Sequence, residues 1–212
     1  MRAGQLVVGL VLVAACTRTD SGRPTALATG APVADTAHPW RKPGDKIDSI
    51  LPMQEYLRRF RAGLTQPHRL AGGAANPEAL ARRFLAAVSA RDTAAFTDLI
   101  ASRAEFAWLV FPEHSYARPP YELDPEIFWL QLTAGSAKGL GRTLQRYGGL
   151  PLTLLALQCR PDTLQIKTGS VRLQGNCELR FQAGDSVETR RLFGSVVERN
   201  GVAKLLSYAN DF

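Results

Sequence analysis

The apolar period of this chain changes once, at Gly148-Gly149. Ahead of that point apolar residues recur every three or four positions, as on one side of a helix. Beyond it they alternate, as on a strand with one wet face. A chain ordered in this way cannot alternate strands with helices. It specifies an α+β domain, with N-terminal helices packed on a curved antiparallel sheet formed by the C-terminal third.

The helical part is well punctuated. Met53, Leu57, Phe60 and Leu64 form one apolar stripe, with Pro52 in the first turn and Glu55, Arg58 and Arg59 on the other side. Asn76-Pro77-Glu78 reads as a cap, a proline at the first helical position and an acid in the first turn. Leu80, Phe84, Leu85 and Val88 follow as the inward stripe. Asp92 caps a second helix with Phe96, Leu99 and Ile100 facing in, so the pair predicts a helical hairpin. Phe106 to Phe111 fits helix or strand. Pro112, Pro119 and Pro120 hold an irregular loop, and Asp124-Pro125-Glu126 repeats the helix-start signature. A further helix is expected from about Ser136, ending at Gly148-Gly149 in a left-handed cap.

In the sheet region, Leu152 to Gln158 and Leu164 to Lys167 read as short strands. Val171, Leu173, Cys177, Leu179 and Phe181 are odd-numbered, and the polar residues between them are even-numbered, which predicts one strand with one inward face. Gly175 either bends that strand or opens a hairpin at Gly175-Asn176. Val187 to Glu198 is apolar on both sides and suits a central strand. Asn200-Gly201 is a hairpin signal leading into Val202 to Tyr208.

The N-terminus carries an address. Met1-Arg2 supplies a positive charge, Leu6 to Val13 a short apolar run, and Val13-Ala14-Ala15-Cys16 a small-residue site ending in cysteine. The run is too short to span a bilayer. These residues resemble the lipobox of bacterial lipoproteins. The resemblance implies that residues 1–15 are a signal peptide and that Cys16 is lipidated. Thr17 in place of an aspartate implies the periplasmic face of the outer membrane; inner-membrane retention or secretion are the alternatives. Residues 16–45 are rich in Thr, Ala, Pro and Gly and read as a flexible tether with a reach of roughly 30 Å. Residues 46–212 are then a single α+β domain.

An oxidising compartment changes the reading of the remaining cysteines. With Cys16 in lipid, Cys159 and Cys177 are an even pair, expected to form a disulfide. The net charge of +7 falls by one on removal of the leader. The arginines are scattered, apart from Arg58, Arg59 and Arg61 and the pair Arg190 and Arg191, so nucleic acid is not an expected partner.

Two segments point to a family. Glu78 to Ile100, EALARRFLAAVSARDTAAFTDLI, resembles the opening helices of the nuclear-transport-factor-2-like superfamily, which includes the SnoaL-like cyclases. Val196 to Phe212, VVERNGVAKLLSYANDF, is similar to its closing hairpin. The resemblance implies a cone-like fold in which a curved sheet wraps the helices around a pocket. That superfamily holds isomerases, cyclases, dehydratases and non-catalytic members, so the fold alone assigns no activity. The extra helices between Phe106 and Tyr147 depart from the minimal pattern and would cap or fill such a pocket.

Motifs for chemistry are sparse. His38, His68 and His114 have no metal-ligand spacing, so neither a metal nor a cofactor is expected. Gly139-Leu140-Gly141 follows no strand and lacks a third glycine, and Ser136 has no nucleophile-elbow context. Glu105, within RAEFAWLVF, is a weak candidate general base if burial raises its pKa; its alternatives are an ion pair with an arginine such as Arg103 or Arg118, or simple solvation. Trp108, Tyr116, Arg118, Tyr121 and Trp129 are candidates to line a pocket or an interaction surface. Three readings stay open: a non-catalytic lipid-anchored protein binding a small apolar ligand or an envelope partner, an isomerase or cyclase using Glu105, and an assembly module presenting the Tyr116 to Tyr121 loop.

Overall fold

The computed structural model describes residues 51–161 and 170–211. The described residues all fall in one compact unit, Ser49–Phe212. The expected leader, Cys16, the expected tether and the expected strand at Leu164 to Lys167 lie outside the described residues. Helices α1 (Met53–Arg61), α2 (Pro77–Ala90), α3 (Thr93–Leu99), α4 (Arg103–Glu105) and α5 (Pro125–Tyr147) come first. Strands β1 (Leu152–Pro161), β2 (Val171–Ala183), β3 (Ser186–Arg190), β4 (Val196–Arg199) and β5 (Val202–Leu205) form one curved, unclosed antiparallel sheet. The α+β arrangement is as the sequence predicts.

Local signals set most of the boundaries. The Asn76 side chain accepts from Ala79 N–H and Asp92 accepts from Ala94 and Ala95, which starts the two helices of the hairpin. Pro52 stands just ahead of α1 rather than inside its first turn. Gly149, at φ +89°, takes the left-handed position after α5. Asn200 and Gly201 both have positive φ, as a two-residue β4–β5 hairpin needs. Phe106 to Phe111 is helical but wide, a five-residue π-helical turn followed by a 3₁₀ turn.

Three sequence expectations are corrected. The residues around Ser136 do not begin a new helix; α5 runs unbroken for 23 residues. The Ser136 hydroxyl donates to Leu132 C=O four residues back and accepts from Tyr208 N–H, so it serves the helix and its neighbour together. Val187 to Glu198 is not one strand. β3 and β4 follow each other along the same edge of β2, separated by a break at residues 191–195. Within that break Gly194 N–H donates to Ser207 C=O, while Leu192 and Phe193 stay buried.

The third correction concerns β2. Gly175-Asn176 is neither a simple bend nor a hairpin but a bulge, with Asn176 at φ +49° and a register shift against β1 at Gln158/Arg160. The extra residue exchanges the faces of the strand. Leu173 pairs with Val197, and both belong to a core with Phe60, Phe106 and Phe111. Cys177, Leu179 and Phe181 belong to another, with Phe84, Phe96 and Tyr208. Both sets are odd-numbered, so alternation alone places them together, and the bulge separates them.

The β4–β5 end of the sheet is therefore buried on both sides. Val196 and Leu205 pair on the face of the α2–α3 core; Val197 and Lys204 pair on the face of the α1–α4 core. Helix α5 serves both: Phe128, Trp129 and Leu132 pack on the second core, and Leu140, Leu144 and Tyr147 on the first. The outer edge of β5 is covered by backbone bonds from Ala74 and Ala101.

Gly139 marks where α5 meets the C-terminal segment: a Cβ there would run into Tyr208 C=O. Gly139→Ala should lower the free energy of unfolding by about 1–3 kcal/mol. Gly141→Ala, whose Cβ would meet nothing within 4 Å, should raise it by about 0.5–1 kcal/mol. Urea denaturation of the two variants checks both signs.

Candidate functional site

Glu105 closes the first turn of α4. Ser102 Oγ accepts from Glu105 N–H, and the Glu105 carboxylate accepts from Ser102 N–H at 2.7 Å, a reciprocal cap. The same carboxylate accepts from Ala71 N–H at 2.6 Å and from Lys204 Nζ at 3.0 Å. Lys204 also donates to Ala71 C=O at 2.6 Å. Both charged residues are 3 % exposed. The acid thus pairs with a strand lysine, rather than with Arg103 or Arg118.

This environment sets the charge state. Burial pushes the Glu105 carboxyl up, but the Ala71 and Ser102 N–H groups and the Lys204 ammonium outweigh it and hold it below the usual carboxylate range. A general base working near neutral pH needs the opposite shift and a lone pair facing a reactant. Here the carboxylate oxygens point at backbone N–H groups and at an ammonium. The geometry makes Glu105 a clamp joining the loop at Ala71, the start of α4 and strand β5.

A second acid acts in the same way nearby. Glu113 accepts from Ser170 Oγ, Val171 N–H and Arg199 Nη1 at 2.8–3.0 Å, which ties the helical segment to β2 and β4. Burial raises its carboxyl, and the Val171, Ser170 and Arg199 contacts bring it below the usual range.

The aromatic candidates divide. Tyr116 packs on His114, Phe128 and Tyr121, and Trp129 packs on Phe106, 5.2 Å between ring centroids. They belong to one aromatic assembly built around Phe106 and Phe128. Trp108 lies under the Arg61 guanidinium, 4.0 Å from its ring centroid. Arg118 is exposed, as is Tyr121, beyond the helical turn at Ser115–Ala117. His114 is buried, its Nδ1 accepting from Tyr116 N–H. The core inside the sheet is filled by Phe84, Phe96, Phe193 and Tyr208, whose rings stand 5.3–6.0 Å apart.

Cys159 and Cys177 form a disulfide across β1 and β2, with Cα atoms 4.0 Å apart. Cys177 is fully buried and Cys159 half-buried. The bond lies in the wall of a cleft of about 720 Å³ between the start of α2 and the end of the β1–β2 pair. Asn76, Pro77, Glu78, Leu157, Gln174 and Asn176 contribute to it, with Gln158, Arg160 and Glu178. Gln158 and Glu178 sit directly across from each other on β1 and β2. These last three side chains make no hydrogen bond or ion pair with another described residue. Sequence reasoning passed over them. The available signal was that each paired cysteine is flanked by polar residues, Gln158 and Arg160 or Asn176 and Glu178.

Among the described residues no group of His, Cys, Asp and Glu is placed to hold a metal ion, and no helix is long and apolar enough to cross a membrane. Neither a family model, nor a curated protein, nor a solved structure matches this chain.

The two lowered carboxyls make stability depend on acid. Each contributes stability that is fully present above its unfolded value, about 4.3, and is lost as pH falls through its lower folded value. The urea midpoint should stay level between pH 7 and pH 5 and fall below about pH 4. Glu105→Gln should start lower at pH 7 and fall less steeply.

Proposed function

We propose that this chain is a lipid-anchored, non-catalytic binding protein of the bacterial envelope. Its α+β domain takes a small polar ligand in the cleft beside the Cys159–Cys177 disulfide. The observation that carries the reading is the cleft itself, whose lining includes an amide, a guanidinium and a carboxylate, Gln158, Arg160 and Glu178, that bond to no other described residue.

The chemistry of the lining narrows the ligand. Amides and carboxylates bind hydroxyl groups, and Pro77, Leu157 and the disulfide offer an apolar wall. That combination suits a hydroxyl-rich molecule with one apolar side, such as a sugar, better than the small apolar ligand expected of a cone-like pocket. The filled aromatic core and the use of Glu105 as a clamp favour binding over an isomerase or cyclase activity. The disulfide fits an oxidising compartment, and the lipobox residues supply the anchor at the outer membrane. The order of a helical hairpin before an antiparallel sheet supports the nuclear-transport-factor-2-like resemblance.

An envelope partner is the second reading, favoured by the exposure of Tyr121 at the end of the proline-held loop. Native mass spectrometry of residues 45–212 from a periplasm tests the first. The expected result is a retained hydroxyl-rich molecule that Arg160→Ala with Glu178→Ala releases, affinity falling at least tenfold while folding is unchanged. A clean apo mass in the presence of envelope glycans contradicts it.

A further inference from the structure

Part of one edge of β2 has no strand partner. β4 pairs with it as far as Gln174↔Val196, and β3 takes over only at Leu179↔Arg190. Residues 175–178 between them hold the bulge, and residues 191–195 run past without pairing as a strand. A bulge bends its strand and sharpens the local twist. The two interruptions stand at one level and leave a notch in the sheet.

Two hollows lie at that notch. One, of about 260 Å³, is lined by Asn176, Arg191, Ser195, Asn210 and Asp211, with Phe193, Gly194 and Ala209. The other, of about 180 Å³, is lined by Glu178, Thr189, Arg190, Arg191 and Asp211. Neither stands apart from the cleft beside the disulfide. Asn176 lines both the cleft and the first hollow, and Glu178 both the cleft and the second. Arg191 and Asp211 line both hollows. Together they make one polar path that crosses β2 at its bulge, from the start of α2 to the C-terminal segment. The span from β1 to β3 alone is two strand spacings, roughly 10 Å.

Arg191 is fixed within this path. Its Nε donates to Asp211 Oδ2 at 2.8 Å and its Nη1 to Asn176 Oδ1 at 3.1 Å. N–H groups remain on both Nη nitrogens, and a side chain already held loses less freedom when it binds. Hydrogen-bonding groups dominate the two hollows, and Phe193 is buried. The apolar side chains of a bound peptide would find no pocket among these residues. Hydroxyl groups spaced along a chain find donors and acceptors throughout.

We propose that, given the binding function proposed above, the cleft is one end of a groove and its ligand is a linear hydroxyl-rich chain, an oligosaccharide rather than a single sugar. Successive units lie at the cleft, over Asn176 and beside Arg190 and Arg191. Each further unit engaged binds intramolecularly, so affinity rises with chain length until the groove is filled.

The test uses the full chain with its disulfide intact and calorimetric titration with β-1,4-linked N-acetylglucosamine of one, three and five units. The acetamido methyl suits the apolar wall of Pro77 and Leu157. Affinity should rise at least tenfold from one unit to five. Arg191→Ala with Asp211→Ala, which removes that ion pair together, should flatten the rise at an unchanged urea midpoint. Arg160→Ala should lower all lengths alike. Equal affinity for one, three and five units would overturn the groove and leave the cleft as a single-sugar site. A rise with length that survives loss of Arg191 and Asp211 would overturn it too, since the chain would then leave the cleft another way. Tighter binding of a penta-alanine peptide than of the five-unit glycan would make the occupant a peptide. Binding of no length at all would overturn the groove and the binding function together.

Discussion

One buried ion pair holds together parts of this domain that are far apart in the chain. Glu105 and Lys204 meet on the face of the sheet that looks toward α1 and α4, among side chains with almost no access to water. Two charges in such a place are tolerated only if their bonds are nearly all made. Here the carboxylate also closes the first turn of α4, and both partners bind the backbone at Ala71. The loop ahead of α2, the segment after α3 and the last strand are located by the same few atoms. The apolar side chains around them then pack in only one arrangement.

That constraint also explains where function is left to reside. Glu105 is the acid a sequence reader would select for chemistry, and the fold uses it for positioning. The interior is occupied by phenylalanine and tyrosine rings, and the cleft proposed for binding lies at the surface beside the disulfide, on elements that do not depend on the charge pair directly.

Much of the architecture was legible. Capping residues placed α2, α3 and the start of α5, in the first and last with a proline and an acid following, and Asn200-Gly201 placed the last hairpin, because each acts within a few residues. The cysteine pair was legible from the even number of cysteines left once Cys16 is assigned to the expected lipid anchor. The features missed depend on contacts distant in sequence. Nothing near Glu105 points to Lys204, 99 positions away. The continuity of α5 through Ser136 and Gly139 rests on the Tyr208 segment passing beside it. The bulge at Asn176 changes the parity of β2, and a single glycine in an alternating strand shows a bend without showing which face follows it. The polar cleft was hidden for a similar reason: Gln158, Arg160 and Glu178 look like any wet strand positions, and only the fold brings the start of α2 near that end of the β1–β2 pair.

A double-mutant cycle at the central pair tests this account most directly. Glu105→Gln and Lys204→Met are measured alone and together by urea denaturation at pH 7. Each single change should cost about 3–5 kcal/mol, because it leaves the other charge buried and unpaired. The double variant should be more stable than the sum of the two losses implies, by about 1–3 kcal/mol. Single variants within about 0.5 kcal/mol of the parent, with additive effects, would show that the pair does not hold the fold.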